Sequence, residues 1–302
     1  MARPKKWQTN REKTLIIRSL RDKTGNTLKE LLTKFKVKRS TYYDQCYRID
    51  NHVDKYSVAK EMIKSIFDDS RETYGHRRIQ IMLDKRNIHL SLTTILKLMN
   101  QIGIKNTIYC KHTDKYSSYK GHIGKIAPNI VNQKFNEVLP YHVLHTDVTQ
   151  IKLQNNKWGY ISAVTDEASH EVLALSMSEH PDKALIFDML NQLKERSLPI
   201  SLKPIIHSDQ GCHYQWNDYQ NELKTLNYVQ SMSRKGNCLD NAPIESFFSL
   251  MKRECLKRQV IDNIEDLIRV TNEYVEWFNH ERISCKLKGM TPIEYRNHAL
   301  AS

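Results

Sequence analysis

Apolar residues recur at helical spacing through the first hundred positions and alternate in strand-like fashion from about position 141 onward. In residues 11–22 (REKTLIIRSLRD) the aliphatic side chains form one stripe, as an amphipathic helix requires. Residues 27–35 (TLKELLTKF) predict a second, short helix, with Thr27 as N-cap and Glu30 three positions later in a capping-box pattern. A third helix lies in 37–48 (VKRSTYYDQCYR), capped by Ser40 or Thr41 and carrying Tyr42, Tyr43 and Tyr47. Short helix, tight turn, then a basic and aromatic helix is the helix-turn-helix order, whose last helix can enter a major groove. Arg39, Tyr42 and Tyr43 are its candidate contacts, although at least one tyrosine is needed for the buried face of the helix itself.

Residues 58–68 (VAKEMIKSIFD) predict another amphipathic helix, and 74–104 read as a second helix-turn-helix. There Ile79, Met82 and Leu83 repeat at helical spacing, His76, Arg77 and Arg78 begin one helix, and Ser91 caps another that runs through Met99 with Thr93, Thr94 and Lys97 on it. Residues 105–138 have weak periodicity and little to bury. They are either a linker able to track a phosphate backbone or a solvated spacer. Strands are expected at 141–153, 158–169, 170–178, 202–209 and 227–233, and helices at 182–196, 215–226, 241–257 and 263–280. The order β-β-β-α-β-α-β-α predicts an α/β fold, a mixed sheet with helices on its faces.

The 302 residues exceed one compact core and fall short of three large ones. Hydrophobic residues make up 39% and charged residues 27%, with a mean hydropathy of −0.63. No apolar run is long enough for a bilayer, and none follows the basic start as a signal peptide requires, so a cytoplasmic protein without a membrane partner is expected. Six scattered cysteines without a CxxC pair suggest reduced thiols and argue against a zinc finger. The net charge of +13 is one-sided. Residues 1–140 hold 29 Lys and Arg against 13 Asp and Glu, whereas 141–302 hold 18 against 21. A basic, nucleic-acid-binding half joined to a near-neutral half with another task fits this split, the alternative being a merely soluble basic surface.

Asp147 in HTDVTQI, Asp209 in HSDQG and Glu245 in NAPIESFFSLMKRE are the candidate chemistry. Thirty-five residues separate Asp209 from Glu245. Asp147 falls within the first strand, Asp209 ends the fourth, and Glu245 lies in the first turns of a helix. If that helix packs beside the strands, the three carboxylates converge, and their repulsion calls for a cation such as Mg²⁺. Each acid also has a plainer reading: an Asp at a strand end caps a turn, and a Glu in a first helical turn is favoured by the helix dipole. Asp166 and Asp240 compete as candidates; Asp166 can simply start a turn, and Asp240 with Asn241 looks like a helix cap.

HTDVTQI, WGYISAVTD, HSDQG and RKGNCLDNAPIESFFSLMKRE together resemble the integrase core of IS3-family insertion-sequence transposases of the DDE, D,D-35-E type. YGHRRIQIML resembles that family's second helix-turn-helix, and 274–295 its C-terminal stretch, so the resemblance covers nearly the whole chain. It implies an RNase H-like catalytic fold, similar to retroviral integrases. Asp147, Asp209 and Glu245 would be both the catalytic residues and the ligands of two Mg²⁺ ions, or of Mn²⁺. It also implies terminal nucleotides held by Lys252 and Arg253, with Asn241 and Ser246 positioning the strand. Cys212 and His213 stand where small or amide residues are common in the family, so no role passes to them, and the zinc module of retroviral integrases is absent.

The resulting expectation is a DNA transposase that binds the inverted-repeat ends of an insertion sequence, cleaves, and transfers strands. Its parts would be a helix-turn-helix domain at 1–53, a second at 54–106, a basic linker at 107–138, and a catalytic domain with a helical tail at 139–302. Its partners would be double-stranded DNA and at least one further copy of the chain, with an upstream-frame protein as a further candidate. Two alternatives remain open at this stage: an RNase H-like nuclease that never joins strands, and a DNA-binding regulator with an inactive core.

Overall fold

The computed structural model describes residues 9–51, 54–105, 108, 126–196 and 203–301. The chain divides into two compact units, residues 1–61 and 62–302. In the first, α1 (Asn10–Thr24), α2 (Leu28–Phe35) and α3 (Arg39–Asp50) enclose a small core of Ile17, Leu31, Leu32, Val37, Tyr42 and Cys46. Thr27 and Glu30 form the expected capping box, and Thr9 with Glu12 forms another at α1. The α2–α3 turn passes through Lys36 in the left-handed region, with Val37 donating its N–H to the Leu32 carbonyl. Two expectations fail here. Lys38, without a side-chain bond, stands at the α3 N-cap in place of Ser40 or Thr41, because the helix begins at Arg39. Tyr42 is core, not a groove contact, since its ring fills the angle between the helices.

Helix α4 (Ser57–Asp69) begins in the first unit and ends in the second. In the second unit follow α5 (His76–Asp84) and α6 (Leu92–Gln101), with Ser91 accepting from the Thr94 amide as expected. The sheet has five strands: β1 (Val143–Lys152), β2 (Trp158–Asp166), β3 (Val172–Ser178), β4 (Ile205–Ser208) and β5 (Val229–Met232). Their order is β3-β2-β1-β4-β5; the first three form an antiparallel meander, and β4 and β5 add parallel to β1. This is the RNase H-like mixed sheet that the resemblance implies.

The two sheet faces bury different partners. Leu144, Val164, Ile206 and Met232 share a core with α7 (Lys183–Glu195) and α8 (Asn217–Thr225). On the other face α9 (Ala242–Glu254) packs over β1 and β2, and α10 (Ile264–His280) over β3. Gly159 admits that packing: a Cβ there would collide with the Leu267 side chain of α10. The segment 126–138 is no spacer. It lies along β5, with Ile130 donating its N–H to Ser231 Oγ (2.9 Å) and Asn129 and Gln133 holding Asp240 (3.0 and 2.6 Å). The rest of the expected linker falls largely outside the described residues.

A buried charge cluster ties the second helix group to the tail of the core. Glu254, the last residue of α9, receives two hydrogen bonds from Arg282 (2.7 Å each) and one from Tyr274 (2.9 Å), with Arg78 of α5 at 3.9 Å. Tyr74 donates to the Glu281 carbonyl (3.3 Å) and accepts from the Ile283 amide (2.8 Å). A last helix, α11 (Pro292–Leu300), is pinned by Arg296 on the buried Glu171 (2.8 Å). Removing one member of a buried pair leaves the other charge uncompensated, at a cost of about 3–5 kcal/mol. Arg282→Leu is therefore expected to destabilise the chain by about that amount. A thermal melt reads the loss; a wild-type midpoint would mean that Glu254 finds another partner.

Candidate active site

The site grows from the register of two parallel strands. His145 on β1 pairs with His207 on β4, so both rings lie on the same sheet face. They meet edge to face at 5.6 Å, and both are fully buried. Side chains on a strand return to the same face every second residue. Asp147 and Asp209 each follow their histidine by two, and the charge of Asp209 acts on Asp147. β4 ends at Ser208, so Asp209 lies just beyond the strand and not in it. Its Oδ1 accepts from the Gly211 amide (2.8 Å), while Asp147 Oδ1 accepts from the Val148 amide (2.8 Å). Gly211 keeps this place open, since a Cβ there would stand 2.9 Å from Asp209 Oδ1 and 3.0 Å from His213 Nε2.

The Asp147 carboxyl is pushed well above the usual carboxylate range, first by desolvation and then by the charges of Asp209 and Glu245; the Val148 amide and Lys252 pull the other way. Glu245 lies exposed in the first turn of α9, and the Lys252 ammonium two turns later donates to Thr149 Oγ1 on β1. The structure thus brings Asp147, Asp209, Glu245 and Lys252 into one electrostatic field. Among the described residues, no three His, Cys, Asp or Glu side chains could hold a metal ion as they stand. The donor chemistry nonetheless fits a divalent cation: hard carboxylate oxygens whose burial and mutual repulsion push Asp147 upward and would be offset by a cation.

The competing acids have other work. Asp166 is buried and accepts from the Tyr141 amide (2.7 Å) and from the Ser169 amide and hydroxyl (2.8 and 2.6 Å), anchoring the β2–β3 turn. Burial still pushes it up to about 6. Asp240 is gripped by Arg234 (2.7 and 2.9 Å), which holds it well below the usual range. Neither Asp240 nor Asn241 caps α9 through its side chain. Asn241 occupies the N-cap position without such a bond and is buried, its Nδ2 donating to the Thr146 carbonyl (3.1 Å) and its Oδ1 meeting His145 Nδ1 (3.2 Å). It cannot face a DNA strand from there.

Sequence reasoning missed His145, His207, Glu167 and Gly211. Glu167 meets His145 Nε2 at 2.8 Å, and His207 lies between the Ser231 and Ser233 hydroxyls (2.8 and 3.1 Å), lowered by burial to about 4. The repeated His-x-Asp in HTD and HSD was the available signal. Of the proposed DNA contacts, His76, Arg77 and Arg253 line a cleft of about 580 Å³ between the start of α5 and the last turns of α9. Arg78 lines it too, but its guanidinium stacks on Tyr74 (5.2 Å) and packs toward Glu254, a structural placement. Ser246, Arg39 and Tyr43 are exposed, Arg39 lying over the Tyr43 ring at 5.8 Å.

The chain matches the integrase core domain family over residues 137–238 and again over 245–300, and an HTH-like domain over 55–112. It is 39% identical over 270 residues to the putative transposase InsK of insertion sequence element IS150 from Escherichia coli strain K12, across 89% of this chain and 93% of that protein. The chain belongs to the IS3-family insertion-sequence transposases. The transposase InsF of IS3A from the same bacterium is 28% identical over 282 residues, covering 91% of this chain and 96% of that one. The catalytic core of HTLV-2 integrase, solved in complex with magnesium, is 17% identical with a TM-score of 0.42, and covers 53% of this chain and 99% of its own. As a member of this family the chain is a DDE-type DNA transposase, and its integrase and HTH-like domains act on DNA. No helix among the described residues is long and apolar enough to cross a membrane.

The raised Asp147 makes its ionisation unfavourable to the fold. Its contribution is fullest below the unfolded carboxylate value and is lost as pH rises through the folded one. In the transposase stripped of divalent ions, Asp147→Asn is expected to raise the melting temperature at pH 8 by about 3 °C, with the difference closing toward pH 4. Scanning calorimetry across that range checks it; a variant no more stable at pH 8 would mean that neither desolvation nor the neighbouring charges disfavour the Asp147 carboxylate.

Proposed function

We propose that Asp147, Asp209 and Glu245 are the catalytic carboxylates of this transposase and the ligands of two Mg²⁺ ions, replaceable by Mn²⁺. The proposal is supported by one observation above all: two acids leave neighbouring parallel strands on one face, within the field of a third acid and a lysine on α9. When bound, the ions would neutralise charge at the attacked phosphate and favour departure of the 3′-oxygen. Asp147 and Asp209 fix the floor of the site on the rigid sheet, and Glu245 supplies its rim. Lys252, anchored on Thr149, places a cation beside that rim for a DNA phosphate.

In the first step water attacks phosphorus at an element end, the bond from phosphorus to the 3′-oxygen breaks, and a 3′-hydroxyl is freed. In the second, that hydroxyl attacks another phosphodiester; one phosphorus–oxygen bond forms as another breaks, and the hydroxyl proton passes to solvent. As in the family, the first joining links two ends of one strand into a branched circle that is integrated later. His76, Arg77, Ser246 and Arg253 would track the DNA near α9, and Arg39 and Tyr43 would read the inverted repeat from α3. The functional parts are 1–53, 54–106, 107–138 and 139–302, with 126–138 packed along β5 of the last. Two ends must be synapsed, which calls for at least a dimer on DNA. We place the reaction in the cytoplasm, with an upstream-frame protein as a further candidate partner.

With end-labelled duplexes and Mg²⁺, Asp147→Asn is expected to bind ends at wild-type affinity but to lose cleavage and joining by about a hundredfold or more. Joining at the wild-type rate would overturn the assignment, and hydrolysis without branched products would mark a nuclease. Arg39→Ala is expected to weaken end binding and lower the slope of log affinity against log salt by about one. An unchanged slope would remove Arg39 from the phosphate contacts.

A further inference from the structure

Asn241 holds a position that its role as a DNA contact does not explain. It is the residue before α9, it is 2% exposed, and both ends of its amide are committed to β1. Its Nδ2 donates to the Thr146 carbonyl at 3.1 Å. That bond fixes the amide, because a carbonyl accepts only from the NH₂ group. The amide oxygen then faces His145 Nδ1 at 3.2 Å. The His145 ring is itself clamped: Nε2 meets Glu167 Oε2 at 2.8 Å, Phe135 stands edge-on at 5.7 Å, and His207 closes the other side. Glu167 is anchored in turn by the Glu137 amide on its Oε1 (3.0 Å).

The two residues that Asn241 touches are the two that precede Asp147. Four residues later on the helix it begins stands Glu245. We infer that Asn241 is a positioning residue: its amide, held by His145 and Glu167, sets the first turn of α9 against β1 and so sets Glu245 against Asp147. The inference rests on the proposed role of the acids. β1 fixes Asp147, and Asp209 stands one residue past the end of β4, where its carboxylate accepts from the Gly211 amide. Glu245 reaches the site from a separate helix, and the Asn241 amide is a buried polar link between β1 and the start of that helix. Lys252 bonded to Thr149 is the corresponding link two turns further on. Groups that orient a ligand without touching the ion typically alter metal affinity by about ten- to a hundredfold when removed.

The full-length chain with Asn241→Ala is expected to bind element ends within twofold of wild type. Its Mg²⁺ half-saturation for end cleavage should rise about tenfold, with kcat at saturating Mg²⁺ largely kept. Independently of activity, hydrogen exchange should quicken at the amides of 242–246 and stay unchanged in α7. Glu167→Gln, a shape-preserving change at the far end of the chain of bonds, should move half-saturation and exchange in the same direction by a smaller factor, and it carries the test if the alanine variant does not fold. An unchanged half-saturation in both variants would overturn the inference, as would a loss confined to end affinity, which would return Asn241 to the DNA contacts. Activity retained by Asp147→Asn would overturn the reading of the acids themselves, a different failure.

Discussion

The structure depends on the parallel pairing of β1 with β4. With His145 opposite His207, the two-residue repeat of β1 carries Asp147 out on the histidine face, and Asp209 stands one residue past the end of β4 with its charge acting on Asp147. A slip of one residue would send one acid to the opposite face, among Ile206, Met189 and Tyr214. The register is held from both faces. Leu144 and Ile206 bury themselves toward α7 and α8, while the histidines are satisfied by Asn241, Glu167, Ser231 and Ser233. Every polar ring atom below the acids has a partner, as a buried polar layer requires.

That layer also explains why the acids repel one another and do not dissolve into surrounding donors. The Asp147 carboxylate accepts from a single backbone amide among its described bonds, and burial and two like charges raise it. Asp166 is buried but accepts three hydrogen bonds at the β2–β3 turn, and burial raises it to about 6. Asp240 has an arginine and three amide side chains about it and is held low. Three aspartates in one domain therefore differ by what surrounds them: an anchor, an ion-paired clasp, and a charge left strained at the surface of the sheet. Strain of the last kind is what a bound cation relieves.

Much of this could be read in the sequence, because strand alternation and helix caps are local. The five strands, the Thr27–Glu30 box and the Ser91 cap all fall within a few residues of their expected places. The misreadings involve contacts between distant positions. Asn241 resembles a cap by type, yet its partners lie 95 and 96 residues away on β1. Tyr42 and Arg78 look like groove contacts by composition, but one completes a three-helix core and the other packs on Tyr74 and toward Glu254. Residues 126–138 lack periodicity because they form no regular element, while their amides are spent on β5 and Asp240. Glu167 was invisible for the same reason: its worth lies in the ring it clamps.

Helix α9 joins these observations into one mechanical piece. Its start is keyed to β1 through Asn241, its last turn through Lys252 on Thr149, and its final residue Glu254 to Arg282 and Tyr274. The same Glu254 lies beside Arg78 at the head of α5, where His76 and Arg77 open onto the cleft shared with Arg253. The cations suited to a DNA backbone and the carboxylate suited to its chemistry thus ride on elements locked by buried polar bonds within residues 62–302. On the proposed reading, a strand tracked along that cleft would lie against the helix that carries Glu245, so the DNA contacts and the acidic site would share one rigid element.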